Sequence, residues 1–171
     1  MSPGHSLRYA LLAAAIFISI KFSVFLSHSE FSGIGIYAGL FPLFLLSIPL
    51  YLGVKHKRDN ELGGYISIRQ VMVTGVLISA IASVLVAAYT YIHYKYIDLN
   101  VIAYWTDQAK TLGAKEHKSE AEIEQAIVML QEFYSPFKQA TVVLTGVLGT
   151  GTVLSFILST FLVRKDPTLN N

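Results

Sequence analysis

Val71–His93 reads VMVTGVLISAIASVLVAAYTYIH, more than twenty residues without one Asp, Glu, Lys or Arg. At about 1.5 Å of rise per residue, a helix of this length covers the ~30 Å hydrocarbon core of a bilayer. Its order says more than its greasiness. Gly75, Ser79, Ser83 and Ala87 recur every four residues and form one ridge of small side chains, while Val76, Ile78, Ile81 and Leu85 cover much of the rest. Such a ridge lets another backbone come close, where dispersion and weak Cα–H···O contacts act. The stretch is therefore expected to be the central helix of a small membrane bundle.

Composition points the same way. Of 171 residues, 53% are hydrophobic and 14% charged, against about a quarter charged in soluble domains. The missing charge is concentrated in long gaps, the pattern of spans. A formal charge of +2 is too small to call for a nucleic-acid partner. The absence of cysteine excludes disulfides, thiolate metal sites, a thiol nucleophile and a lipoprotein anchor.

Working outward, spans are predicted over 8–27, 33–54, 71–93 and 138–163. Tyr9–Ser27 also has the short apolar run and small terminal residues of a signal peptide, but its length and Lys21 favour a retained helix. The second span, GIGIYAGLFPLFLLSIPLYLGV, holds a Gly35–Gly39 pair and two prolines, Pro42 and Pro49, on nearly one face. Each proline removes a helix hydrogen bond and crowds the preceding turn, so a kinked helix is expected.

The loop over 55–70 carries Lys55, Lys57, Arg58 and Arg69; Gly63-Gly64 interrupts any helix there, and Tyr65, Ile66 and Ile68 suit the headgroup level. Beyond the third span, Tyr89, Tyr91, Tyr94, Tyr96, Tyr104 and Trp105 form an aromatic cluster, as where a helix leaves a bilayer. The acidic insertion over 98–136 is predicted to be a helical hairpin. Its first helix covers about 99–112. Its second opens with a Ser119/Glu122 capping box and carries Ile123, Ile127, Leu130 and Tyr134 at helical spacing, with Ser135-Pro136 ending the run. In the fourth span, Thr145 and Gly149 pair, and Gly151, Ser155 and Ser159 make a second small ridge; Arg164, Lys165 and Pro167 follow.

The predicted fold is thus one all-α domain: an integral membrane four-helix bundle with an extramembrane helical hairpin between the third and fourth spans. Lys and Arg accumulate on the cytoplasmic side of membranes. With four spans, Arg8, the 55–69 loop and Arg164/Lys165 share that side. Both termini are then cytoplasmic and 98–136 lies outside, which is periplasmic in a Gram-negative cell.

Three blocks carry a family resemblance: Asn60 with Gly63-Gly64-Tyr65-Ile66-Ser67-Ile68-Arg69-Gln70 and Gly75; Tyr91-Ile92-His93-Tyr94-Lys95-Tyr96-Ile97-Asp98; and Phe133-Tyr134-Ser135-Pro136. The chain resembles the Bacteroidota domain of unknown function 4199. That resemblance implies four helices in a bacterial inner membrane and brings no reaction, cofactor or site residue.

Candidate chemistry is sparse. An ammonium at mid-bilayer costs ~2.5–3.5 kcal/mol on insertion scales, which marks Lys21. It lies about two turns from its helix end, however, and can snorkel or pair with Glu30. His5, His28, His56, His93 and His117 show no ligand spacing, and interfacial histidines are the simpler reading. The spans hold no Asp or Glu, so no intramembrane proton relay is visible. No Gly-x-Ser-x-Gly, phosphate loop or zinc-protease pair occurs, and no cofactor is expected. Lys55, Lys57, Arg58 and Arg69 either fix orientation or meet anionic headgroups. The Pro42/Pro49 face either shapes the bundle or lines a cavity.

The expected function is a non-enzymatic membrane module. Its partners are the lipid bilayer and, through small-residue ridges, a second copy or another membrane protein; its acidic hairpin would meet an envelope partner. The alternative is a small oligomeric transporter or lipid-handling protein using Lys21, the kinked second span and the 55–69 loop. A membrane enzyme acting through the hairpin carboxylates is a third option.

Overall fold

A computed structural model describes residues 3–29 and 31–164. Glu30, Lys165 and Pro167 fall outside the described residues, and so does the packing around Gly39. The chain is all-α: α1 (Pro3–Leu26), α2 (Gly33–Leu45), α3 (Ser47–His56), α4 (Ile68–Ile92), α5 (Val101–Lys115), α6 (Glu120–Phe133) and α7 (Pro136–Leu162). Among the described residues no strand forms, and Ile66 and Arg164 make an isolated antiparallel bridge. Three stretches are long and apolar enough to cross a membrane: His5–Leu26, Ile68–Ile97 and Pro136–Leu162.

The second expected span is divided. α2 and α3 are separated by Leu46, which keeps right-handed helical angles (φ −56°, ψ −28°). Hydrogen bonds persist around it, from Leu46 N–H to Pro42 O (3.0 Å) and from Leu50 N–H to Leu46 O (3.3 Å). Pro49 has no N–H for the Leu45 carbonyl four residues back, and its ring crowds that carbonyl. The discontinuity falls where the later proline requires it. Both prolines are buried.

The chain divides into two compact units, 1–86 with 144–171, and 87–143. In the first, α1 packs on α2 and α3. The two small ridges meet. A methyl added at Gly75 of α4 would collide with Ser155 Oγ and Cβ of α7, and one at Gly151 of α7 would collide with Ser79 Oγ and Cβ. Ser79 and Ser155 are both 0% exposed. Each donates its hydroxyl to the glycine carbonyl four residues earlier, Ser79 to Gly75 (2.8 Å) and Ser155 to Gly151 (2.6 Å). That back-bonding satisfies the hydroxyls within their own helix and leaves two smooth surfaces in contact. Half of the most apolar window of α4 is buried, against 22% in α1 and 17% in α7, which makes α4 the central element. At one end Val54, Ile66, Val71 and Leu162 form an apolar cluster.

In the second unit α5 packs antiparallel on α6. The Ser119/Glu122 capping box is complete, Ile127 is buried, and Ile123, Leu130 and Tyr134 are half-buried. Gly113 lets α5 approach Ile123. Trp105 stacks on Tyr134 with centroids 5.5 Å apart. Pro136 ends one helix and opens the next, the first helical position being where its missing N–H costs nothing.

Two histidines have conformational roles. His28 (φ 52°) and His117 (φ 55°) are left-handed. Each closes a helix with the paired bonds of a Schellman motif: His28 N–H to Phe25 O with Ser29 N–H to Val24 O, and His117 N–H to Ala114 O with Lys118 N–H to Gly113 O.

Candidate functional site

The densest polar cluster of the first unit lies where α1 begins, α3 ends and α4 begins. His5 and Tyr9 are one turn apart on α1, as are Thr74 and Ile78 on α4. Between these helices sits Gly53 of α3, where an added methyl would meet Ile78 Cδ1 and the Tyr9 ring. Gly53 is what allows the approach.

After His56 the chain widens into a π-helical turn, Lys57–Glu61, closed from Leu62 N–H to Lys57 O (3.1 Å). This places Glu61 against α1, with Oε1 2.7 Å from His5 Nδ1. The His5 hydrogen bond is the main cause holding the Glu61 carboxyl below its usual range, with Lys57 adding to it. The His5 and His56 rings meet edge to face at 4.5 Å.

Lys57 Nζ donates to Thr74 Oγ1 (2.9 Å), which donates to the Gln70 carbonyl (2.7 Å). Asn60 Nδ2 lies 3.2 Å from His56 Nδ1 and donates to the His56 carbonyl (3.1 Å). The other ring nitrogen, Nε2, is closed off from solvent and has no hydrogen-bond partner among the described residues. The space bounded by His5, Ser6, Tyr9, Lys57, Glu61 and Thr74 holds about one water molecule. A space of that size suits a water or a proton.

Arg58 is buried and grips its neighbour Asp59 through two contacts, Nε to Oδ1 (2.7 Å) and Nη2 to Oδ2 (3.2 Å). Asp59 is held below the usual carboxylate range by that hydrogen bond first, then by the charges of Arg58, Lys55 and Arg164.

The residues singled out from sequence scatter. Lys57 and Arg58 join this turn, but each is engaged inside the chain. Lys55 and Arg69 face outward, with Lys55 Nζ 5.8 Å from the Tyr51 ring centre. Lys21 is half-buried further along α1, and Glu30 lies outside the described residues. Pro49 lies just past the break between α2 and α3, and Pro42 lies inside α2, both buried. Sequence reasoning missed His5, His56, Glu61 and Thr74 as neighbours, because no spacing rule links position 5 to position 61.

In the second unit a further π-helical turn, His93–Ile97, closes from Asp98 N–H to His93 O (2.8 Å). His93 is 1% exposed, with the Tyr89 hydroxyl 3.2 Å from Nδ1, and Asp98 is also buried. From the sequence, His93 read as an interfacial histidine, so its burial is a finding of the structure. Among the described residues no group of three His, Cys, Asp or Glu is placed to hold a metal.

The class these features define is an α-helical protein with membrane-span-like helices and tightly interlocked small-residue ridges. The chain belongs to the family Protein of unknown function (DUF4199), whose model matches residues 7–164. No curated protein and no solved structure matches it.

Proposed function

We propose that the protein is an integral membrane module that crosses the bilayer four times, through α1, α2–α3, α4 and α7, and presents the α5–α6 hairpin on the far side. One observation carries this reading: the long apolar helices leave large side chains outside, Phe161 77%, Phe44 73% and Phe156 62% exposed, while the seam between α4 and α7 is closed on small residues, Ser79 and Ser155, beside a buried apolar core. Exposed apolar surface of that extent is unusual on a soluble chain; a bilayer accepts it, and small residues let its helices pack closely.

α2 and α3 together take the place of the fourth span, their break buried against the bundle, as lipid requires of interrupted helices. Three span-like stretches plus this jointed pair bring both termini to the side of the basic loop. The positive-inside rule makes that side cytoplasmic. The hairpin then faces the periplasm of a bacterial cell. There, exposed Val128, Met129 and Phe133 beside Glu124 and Glu132 suit a protein partner.

Reporter fusions test the topology. An enzyme active only outside the cytoplasm, fused after Lys115, is expected to be active; after Asn60 it is expected to be silent. The reverse pattern would overturn the orientation, and activity at both sites would overturn the four spans.

A further inference from the structure

We propose that Arg8, Lys55, Arg69 and Arg164 form a collar that binds the phosphates of anionic lipids in one leaflet. The proposal rests on the membrane reading above. All four are exposed. Contacts within the first unit bring them to one end: His5 to Glu61, Lys57 to Thr74, and the paired hydrogen bonds between Ile66 and Arg164 (3.0 and 3.1 Å).

The three helical cations each continue an outward apolar stripe of their own helix. Arg8 is one turn from exposed Leu12, Lys55 follows exposed Tyr51 and Leu52, and Arg69 precedes exposed Val73. Helical neighbours at three and four residues share a face, so each of these charges sits where an apolar stripe ends. In a bilayer that boundary is the headgroup layer. Arg164 follows the end of α7 at Leu162 and is tied to the same end of the unit by its bridge to Ile66.

The remaining charges of this end sharpen the contrast. Lys57 turns inward to Thr74, and Arg58 is buried on Asp59. Among the described residues the two acids here, Asp59 and Glu61, are bonded to Arg58 and His5, and the charges of Lys55 and Arg164 reach Asp59 only as smaller contributions after Arg58. The loop's cations are therefore sorted: two stabilise the turn and the other two, Lys55 and Arg69, face out with Arg8 and Arg164. A basic surface adjoining apolar stripes is complementary to a phosphate-bearing anionic headgroup whose acyl chains lie along those stripes.

The test uses the full chain reconstituted in vesicles of equal phosphatidylglycerol and phosphatidylcholine, with selectivity read from spin-labelled forms of each lipid. The wild type is expected to prefer phosphatidylglycerol. Each neutralisation to Gln at the four positions should reduce the preference, by up to about fivefold for the strongest contact. The fourfold variant should show none. Lys110→Gln, the same charge change on the hairpin, should leave the preference intact. Excess inorganic phosphate should not abolish it if lipid headgroups are the occupants.

A fourfold variant that inserts normally and keeps its preference overturns the collar, as does a wild type without one. Displacement by inorganic phosphate would likewise overturn it and point to a soluble anion. Release of the wild-type chain from vesicles by alkaline carbonate would remove the membrane reading itself, a failure distinct from loss of selectivity in a chain that stays inserted.

Discussion

The bundle and the hairpin obey opposite rules of burial. In the bundle, Gly75, Ser79, Gly151 and Ser155 are inside, with Phe156 and Phe161 outside. In the hairpin, Ile127 is inside and Glu120, Glu122, Glu124 and Glu132 are outside. One polypeptide adopts both, and the bilayer proposed around the first unit would account for the difference. Water rewards removal of apolar area. Lipid does not, and leaves close packing and satisfied backbone to hold helices together. The same substitution should therefore have different consequences in the two regions.

The largest effect is expected at the α4–α7 contact. Gly75→Leu drives a branched side chain into Ser155, whose Cβ is fixed to its backbone. Overpacking of this kind costs about 1–3 kcal/mol and sometimes more, and here the helices must also separate. Thermal unfolding in detergent should show a large loss of stability or no folded protein. A reciprocal exchange is the sharper measurement. Gly75→Ser alone should destabilise, and adding Ser155→Gly should recover part of the loss. Additive effects in that cycle would mean that these two positions do not touch.

How much of this was legible in the sequence differs by type of interaction. The ridges at Gly75/Ser79/Ser83 and Gly151/Ser155/Ser159 could be read because helical periodicity alone puts their members on one face. The capping box at Ser119 and Glu122 was visible because it is local. The discontinuity in 33–54 was readable as a kink from Pro42 and Pro49, but not as two helices, since a proline's lost hydrogen bond predicts a bend without fixing how far the helix opens. The His5–Glu61 contact was invisible: its partners are distant in sequence, and a π-helical turn sets the reach of Glu61. Histidines that looked alike in sequence have separate duties. His28 and His117 close helices, His5 and His56 share a polar turn, and His93 is buried.

A milder substitution compares the regions directly. Gly75→Ala should cost stability, because the new methyl meets Ser155 Cβ as well as its hydroxyl. In the hairpin, Gly113→Ala also meets a neighbour, Cγ1 and Cδ1 of Ile123; the Cδ1 end can turn away, whereas Cγ1 is held by the stiff χ1 of a β-branched residue in a helix and must give by a small shift. Alanine also gains up to about 1 kcal/mol of helix propensity over glycine. Gly113→Ala should thus cost less than Gly75→Ala by the same unfolding measurement. Equal losses at the two glycines would break the distinction between rigid and adaptable packing.

The smallest effect belongs to the start of α6. Ser119 Oγ accepts from Glu122 N–H (3.3 Å), while the Glu122 carboxylate accepts from Ser119 N–H (2.8 Å) and its hydroxyl (2.7 Å). Ser119→Ala removes one arm of this exchange and should cost about 1 kcal/mol of local stability. Hydrogen exchange should quicken in the first turn of α6 and remain unchanged in α4 and α7. The Ser119 hydroxyl and backbone bonds hold the Glu122 carboxyl below its ordinary value of 4.5. A carboxyl with a lowered folded pKa stabilises fully above its unfolded value, and that contribution disappears as pH falls through the folded one. Protection of the α6 start should accordingly be constant above about pH 5 and decline in more acid solution. A decline confined to the hairpin would show water setting its energetics. The buried seam of α4 and α7 is closed at Gly75, Ser79, Gly151 and Ser155, none of which titrates, and should hold through the same range.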